Sequence, residues 1–394
     1  VVVVMFDFDE IVERVGTHSA KWDEMESTFG VPVSEGLPMW VADMDFKAPP
    51  AVNDALVAAA TNGVNGYFGD DSNYKQSVIH WMSRRHDWHV EPDWIVTCAG
   101  LVQGTALCVQ AYTQPDDGVI LFTPVYHAFS RVIKANQRRV VESQLVETNG
   151  KYRMDLAALE ARLDGCEKMV ILCSPHNPGG RVWSQQEILE VAEFCDRHQM
   201  VLVVDEIHHD LVFPPFKHVN AVNAAPQFID NMVILAATTK TFNIASALTG
   251  AVIVPSPILR ERFTSVLNAA GVGPNRIGML MATAAYEHGE AWLKALIDYL
   301  DENRRLFDEG VNAIPGVKSM PLEATYLAWV DFSGTGLSAQ QVITKVQDGA
   351  KIAANHGDSF GLGGESFLRF NFATPRPRVL EAVKRLQTVF GIES

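Results

Sequence analysis

Four short apolar runs, at residues 119–122, 169–173, 200–204 and 232–236, dominate the middle of the sequence. Each is continuous rather than alternating, the pattern of a strand buried on both faces of a parallel sheet. Between the second and third runs stands Ser184-Gln185-Gln186-Glu187. This Ser-x-x-Glu capping box opens a helix with apolar positions at Ile188, Val191, Ala192 and Cys195. Strand, helix and strand make one βαβ unit, and the repeated alternation predicts an α/β fold: a mainly parallel sheet of the seven-stranded type with helices on both faces. Upstream, residues 93–98 read as a further strand that runs through Ala99-Gly100 into a helix carrying Leu101, Ala106, Leu107 and Val109. A helix starting straight after a glycine turn presents unpaired N–H groups, which suit an anion, phosphate above all.

The C-terminal quarter reads differently. A helical period over 291–311 leads to expected strands at 325–331 and 366–372 and a closing helix at 377–390. Strands here are followed by helices instead of alternating with them, which predicts a smaller α+β domain. The expected organisation is a large domain over 51–290, with a small one built from both chain ends, 1–50 and 291–394. No internal repeat or low-complexity linker separates them. The apolar residues 1–6 allow an edge strand.

Composition narrows the partners. Lysine and arginine number 32 against 47 acidic residues, a net charge of −15 with no basic run, so no nucleic-acid partner is expected. No apolar run reaches the ~20 residues of a membrane span, and residues 1–6 lead into acids without a basic segment or cleavage site. Cys98, Cys108, Cys166, Cys173 and Cys195 form neither a CxxC pair nor an even-numbered secreted framework. A soluble cytoplasmic protein without a metal site is the expectation.

In an open parallel sheet, ligands bind beyond the carboxyl ends of the strands. The strand from 169 ends in Ser174-Pro175-His176-Asn177-Pro178-Gly179-Gly180, that from 200 in Asp205-Glu206-Ile207-His208, and that from 232 in Thr238-Thr239-Lys240. An amide, a carboxylate and an amine thus converge on one sheet edge, separated by 28 and 35 residues, each about one βα unit. That set is what pyridoxal phosphate (PLP) needs. A lysine at a partly desolvated strand end can lose its proton and condense with the aldehyde. A carboxylate beside the pyridine nitrogen keeps it protonated, so that the ring withdraws electrons from Cα of an amino acid. Asn177 can donate to the phenolic oxygen, and the Gly100 junction can hold the phosphate. Arg369, inside an apolar strand, calls for a buried anionic partner, from substrate or from protein. Tyr126 and Tyr67 read equally well as packing residues.

Asn177-Pro178-Gly179-Gly180, Asp205-Glu206-Ile207-His208, Lys240-Thr241-Phe242-Asn243 and Arg369-Phe370-Asn371-Phe372-Ala373 resemble the signatures of fold-type I, class I/II aminotransferase-like PLP enzymes. Lys21-Trp22-Asp23, the segment Leu37-Pro38-Met39-Trp40-Val41-Ala42-Asp43-Met44-Asp45-Phe46 and Thr325-Tyr326-Leu327-Ala328-Trp329 resemble the MalY/PatB-type cystathionine beta-lyases within that group. The resemblance implies that Lys240 is the Schiff-base lysine and proton shuttle and that Asp205 pairs with the pyridine nitrogen. It places Asn177 and His208 near the phenolic oxygen, stacks Tyr126 on the ring, and gives the phosphate backbone N–H groups from Leu101 and Val102. Arg369 would hold the substrate carboxylate in a bidentate pair. Tyr67 would reach the phosphate of a neighbouring subunit, so a homodimer with shared sites is implied.

Two departures stand out. No arginine follows Lys240 within the segment through Gly250, where many aminotransferases of the class carry one for the phosphate, and Ala237 occupies the position of a familiar serine. Hydroxyl contacts then fall to Thr238, Thr239 or Thr249. The resemblance favours a carbon–sulfur β-lyase acting on cystathionine or related cysteine S-conjugates. An L-amino acid aminotransferase is the alternative, and a non-catalytic PLP-binding or regulatory protein a remote one.

Overall fold

The computed structural model describes residues 6–391; the edge strand allowed at the N-terminal valines lies outside the described residues. Seven strands form the central sheet, in spatial order Ile95–Cys98, Gly250–Ile253, Met232–Ala236, Val201–Asp205, Glu167–Cys173, Gly118–Thr123 and Arg139–Gln144. All run the same way except Gly250–Ile253, which is antiparallel to both neighbours. The expected strand at 93–98 is shorter, because Pro92 starts a 3-10 turn, Pro92–Trp94, that delays the extended chain to Ile95.

Successive side chains of a strand point to opposite faces, and the apolar runs divide accordingly. Val119, Leu121, Met169, Ile171 and Val203 pack with Leu101, Leu107, Leu259 and Phe263 on one face, under the helices Leu101–Tyr112 and Pro257–Ala270. Ile120, Phe122, Val170, Leu172 and Val204 meet Ile188 and Val191 of Gln185–Arg197 on the other. That helix begins at the capping box: the Ser184 hydroxyl accepts from Glu187 N–H at 3.2 Å, and the Glu187 carboxylate accepts from Ser184 N–H at 2.8 Å.

A second sheet is antiparallel throughout, in the order Lys318–Ser319, Leu327–Asp331, Phe367–Asn371, Asn355–His356. The helices Glu290–Asn312 and Arg376–Val389 pack against each other, with Phe307 against Phe370 of the sheet. The predicted C-terminal strands lie in this sheet, and the predicted helices form a second layer against it. Arg369 lies in a central strand between Trp329 and Asn355.

Residues 40–46, without regular secondary structure, form a strap bonded to both the loop after Lys240 and the second sheet. Its backbone is held by amides: Asn243 donates to Met44 O and Phe46 O at 2.9 and 2.7 Å and accepts from Met44 N–H at 2.8 Å. Asn371 donates to Val41 O and Asp43 O, both at 2.6 Å. Asp45, buried, takes Lys21 at 2.9 Å, Arg14 at 2.7 Å and the Trp22 indole N–H at 2.9 Å. Burial alone would raise its pKa, but Lys21 and these donors hold it down to about 2. No helix among the described residues is long and apolar enough to cross a membrane.

Candidate active site

A cavity of about 230 Å³ opens at the carboxyl ends of the parallel strands. Asp205 ends the strand Val201–Asp205, and Asn177 and Lys240 follow the two strands beside it. All three line the cavity, together with Leu101, Val102, Tyr126, His208 and Thr239. These sequence-read residues thus share a single space; Arg369 does not line it but lies behind Asn177, to which it is hydrogen-bonded, and Thr238 is buried off the lining. Thr249 does not line it either: its hydroxyl is buried and donates to Ala247 O at 3.0 Å. Nor does Tyr67, whose side chain is fully exposed on a segment without regular structure, away from its own chain's cavity.

The floor of the site begins at Gly100. Its φ of +88° is a left-handed value that glycine holds without strain, and it turns the strand Ile95–Cys98 directly into the helix Leu101–Tyr112. The first N–H groups of that helix, on Leu101 and Val102, have no intrahelical acceptor and face a cavity both residues line. Dipole and donors together favour an anion there.

Lys240 sits in the short helix Thr238–Thr241, with its ammonium donating to Ala42 O at 2.6 Å. The Tyr326 hydroxyl donates to the same carbonyl at 2.9 Å. Burial pushes Lys240 down to about 8, with Asp43 opposing the shift and Arg369 adding to it. Burial likewise pushes Asp205 up to about 6, against a single side-chain hydrogen bond from Ile207 N–H at 3.1 Å and the charge of Lys240. His208 is driven to about 3 by burial, then by Lys240 and Arg369, and its Nδ1 has no partner among the described residues.

Arg369 is buried and lies against Asn177 rather than a carboxylate. It donates to Asn177 Oδ1 at 3.1 Å, Trp40 O at 2.8 Å and Asn355 Oδ1 at 2.6 Å, and packs on the Phe360 ring at 5.0 Å. Its Nε has no acceptor, and burial lowers its pKa to about 10. No acidic group among the described residues forms an ion pair with it; its hydrogen-bond acceptors are all neutral oxygens. Because the Asn177 oxygen is taken by Arg369, its N–H pair is left to face the cavity.

Sequence reasoning missed Ala42, Trp40, Tyr326 and Asn355 as parts of this site. Ala42 and Trp40 act through backbone carbonyls and carry no side-chain signal. Tyr326 and the strap residues stand inside quoted motifs, so their positions were legible and their contacts were not.

The profile of the family described as Aminotransferase class I and II matches residues 37–386. The chain belongs to the class I and II aminotransferase family. Cystathionine beta-lyase PatB of Bacillus subtilis is 38% identical over 388 residues, covering 98% of this chain and 100% of that protein. A PLP-bound putative aminotransferase from Clostridium difficile 630 superposes with a TM-score of 0.95 at 34% identity, covering 98% of this chain and 100% of the other. Cystalysin from Treponema denticola, whose structure contains PLP, gives 0.94 at 34% identity and 98% coverage of both chains.

The residues present fit that cofactor. Asp205 is a buried carboxylate with one donor, open to pairing with a protonated ring nitrogen. The free N–H groups after Gly100 match a phosphate, and an amine with its pKa near 8 matches an aldehyde. The Asn177 amide and His208 complete a polar wall beside them.

Proposed function

We propose that this protein is a PLP-dependent carbon–sulfur β-lyase that converts cystathionine or a related cysteine S-conjugate to pyruvate, ammonia and a thiol, homocysteine in the case of cystathionine. The observation that carries the reading is the convergence of Asn177, Asp205 and Lys240 on one cavity, in a chain similar end to end to PatB.

The roles are those the family resemblance implies, and the lining of the cavity supports them. Leu101 and Val102 N–H groups and Thr239 would hold the phosphate, Tyr126 would cover the ring, Asn177 and His208 would lie beside the phenolic oxygen, and Asp205 would keep the ring nitrogen protonated. When bound, PLP supplies a carbonyl for the substrate amine and an electron-withdrawing ring for Cα. Arg369 grips the α-carboxylate and so fixes which Cα bond faces Lys240. Lys240 Nζ takes the Cα proton; its burial keeps a useful fraction neutral near physiological pH. Departure of the Cβ thiolate then distinguishes elimination from transamination, with the same residues at work in both.

The functional unit of this reading is a homodimer. Tyr67 is fully exposed, with Val64, Val57 and Leu56 exposed beside it in sequence, an apolar stretch that a second copy covers while carrying Tyr67 to the neighbour's phosphate. Residues 51–290 form the cofactor-binding domain and 1–50 with 291–394 the small one. The cytoplasm suits a chain whose cysteines are all free thiols.

The test is product formation. Purified protein with L-cystathionine and no 2-oxo acid is expected to release pyruvate, ammonia and homocysteine together. Amino-group transfer to an added 2-oxo acid, with no pyruvate in its absence, makes it an aminotransferase instead. A colourless protein that added PLP does not turn yellow refutes both.

A further inference from the structure

Behind the cavity, the loop that follows Asp205 enters a buried cluster that the chemistry above does not use. Glu206, His209 and Asp210 meet His86 from a distant helix and His218 from the loop ahead of Asn220. The side chains of Glu206, His209, Asp210 and His218 are between 0% and 2% exposed.

Asp210 is held from several sides. It accepts from the Trp81 indole at 3.1 Å and Thr241 Oγ1 at 2.8 Å, is hydrogen-bonded to His86 Nε2 at 2.9 Å, and forms an ion pair with Arg85 Nε at 2.9 Å. Glu206 is held but not saturated: Oε1 accepts from Ala221 N–H at 2.9 Å and Oε2 from Asn220 Nδ2 at 2.6 Å. Oε2 also faces His218 Nε2 at 3.3 Å and His209 Nδ1 at 4.0 Å. Neither contact is a hydrogen bond, and all four ring nitrogens of His209 and His218 lack a hydrogen-bond partner among the described residues. Orphaned imidazole nitrogens at full burial are costly unless something occupies the space between them.

We propose that Glu206, His209 and His218 bind a zinc ion, with Asp210 as the orienting carboxylate behind His209. The ligand atoms of these three residues lie within 4.8 Å of one another. Zinc at ~2.0 to 2.2 Å from each of two imidazoles and a carboxylate wants ligand atoms about 3.4 Å apart. The Glu206–His218 separation already meets this, and the Glu206–His209 separation closes by about half an ångström. His209 turns Nδ1 toward Glu206 and Nε2 toward Asp210 Oδ2, at 3.3 Å. No hydrogen bond joins Nε2 to Asp210 at that distance, but Asp210 stands where a carboxylate would orient a metal-bound ring. Two nitrogens and one oxygen suit zinc over calcium or magnesium, which prefer oxygen cages. The ion ties the segment after Asp205 to the loop at His218, and Asp210 carries the brace on to Thr241 beside Lys240. No pair of cysteines is involved, which is why the sequence offered no familiar zinc spacing.

The site stands independently of the lyase reading, because its readout is metal content. Protein made without a histidine tag, supplied with zinc and dialysed into metal-free buffer, is expected to keep one zinc per chain by mass spectrometry of the metal. Crystals measured on both sides of the zinc absorption edge are expected to show an anomalous peak between Glu206, His209 and His218. His218→Gln is expected to lower zinc affinity by about 10-fold to 100-fold while the holoenzyme keeps its yellow colour. Wild type that retains no zinc and shows no peak, leaving His209 a cation between Glu206 and Asp210, overturns the proposal. So does zinc content undiminished in His218→Gln, which places the ion elsewhere.

Discussion

Arg369 is the most exposed point of the functional reading to a quantitative test. It is a buried guanidinium whose three acceptors are neutral, Asn177, Trp40 O and Asn355, and whose Nε has none. Under the proposed role, a substrate carboxylate entering there would meet a cation already buried and held in place. Truncating one partner of such a buried charge pair costs about 2 to 5 kcal/mol. At about 1.4 kcal/mol per tenfold, Arg369→Ala should lower kcat/KM by about 30-fold to several-thousand-fold. The carboxylate is held alike before and during proton removal, so the loss should fall mainly on KM. Arg369→Lys keeps the charge but not the planar fork, and it also frees the Asn177 oxygen; a smaller loss, about 10-fold, is expected. Steady-state pyruvate release against cystathionine concentration gives both constants, with retained yellow colour and an unfolding midpoint within a few degrees as controls. Kinetics unchanged in Arg369→Ala would refute the carboxylate role, and a loss confined to kcat would move Arg369 into the chemical step.

The other expectations follow the same contacts. Lys240→Ala should be colourless after desalting and form no pyruvate; borohydride should bleach the wild type and leave the variant unaltered. Because burial lowers Lys240 to about 8, its neutral form grows as pH rises. The rate of PLP capture by cofactor-free protein should therefore climb about tenfold per pH unit below 8 and level off above it, whereas a flat profile would contradict a titrating amine. Asn355→Asp puts a carboxylate 2.6 Å from Arg369 Nη2, pairing the guanidinium internally; KM should rise about tenfold or more while the unfolding temperature rises or holds. Asn243→Ala strands Met44 N–H and the carbonyls of Met44 and Phe46, and urea unfolding should report a loss of about 2 to 4 kcal/mol.

What could be read from the sequence depended on how each residue acts. The strands at 169, 201 and 232 are buried on both faces, so they write themselves as continuous apolar runs, and their last residues could be assigned to one sheet edge. Arg139–Gln144 was invisible as a strand because it is an edge with Arg139, Glu142, Ser143 and Gln144 among its six residues. Gly250–Ile253 is four residues long, and nothing local distinguishes an antiparallel neighbour from a parallel one. The site divides the same way. Asn177, Asp205 and Lys240 act through distinctive side chains at regular spacing. Ala42 and Trp40 act through carbonyls that any residue supplies, and the cluster of His86, His209 and His218 joins segments more than a hundred residues apart.

The placement of charge gives the site its direction. The chain carries 47 acidic residues against 32 basic ones, yet Lys240 and Arg369 both point at neutral oxygens, and burial depresses both pKa values. Were either matched internally by a carboxylate, as Lys21 and Arg14 are by Asp45, the pair would be satisfied and an entering anion would have to displace it. Leaving the cations short of a counter-charge keeps them available, and the strap makes this possible by presenting carbonyls of Trp40 and Ala42 where side chains would otherwise be needed. The strap in turn is held in place because Asn243 and Asn371 bond its backbone and Asp45 is clamped by Lys21 and Arg14. The acidic surplus of the chain, by contrast, has no bearing on which ligand the cavity accepts.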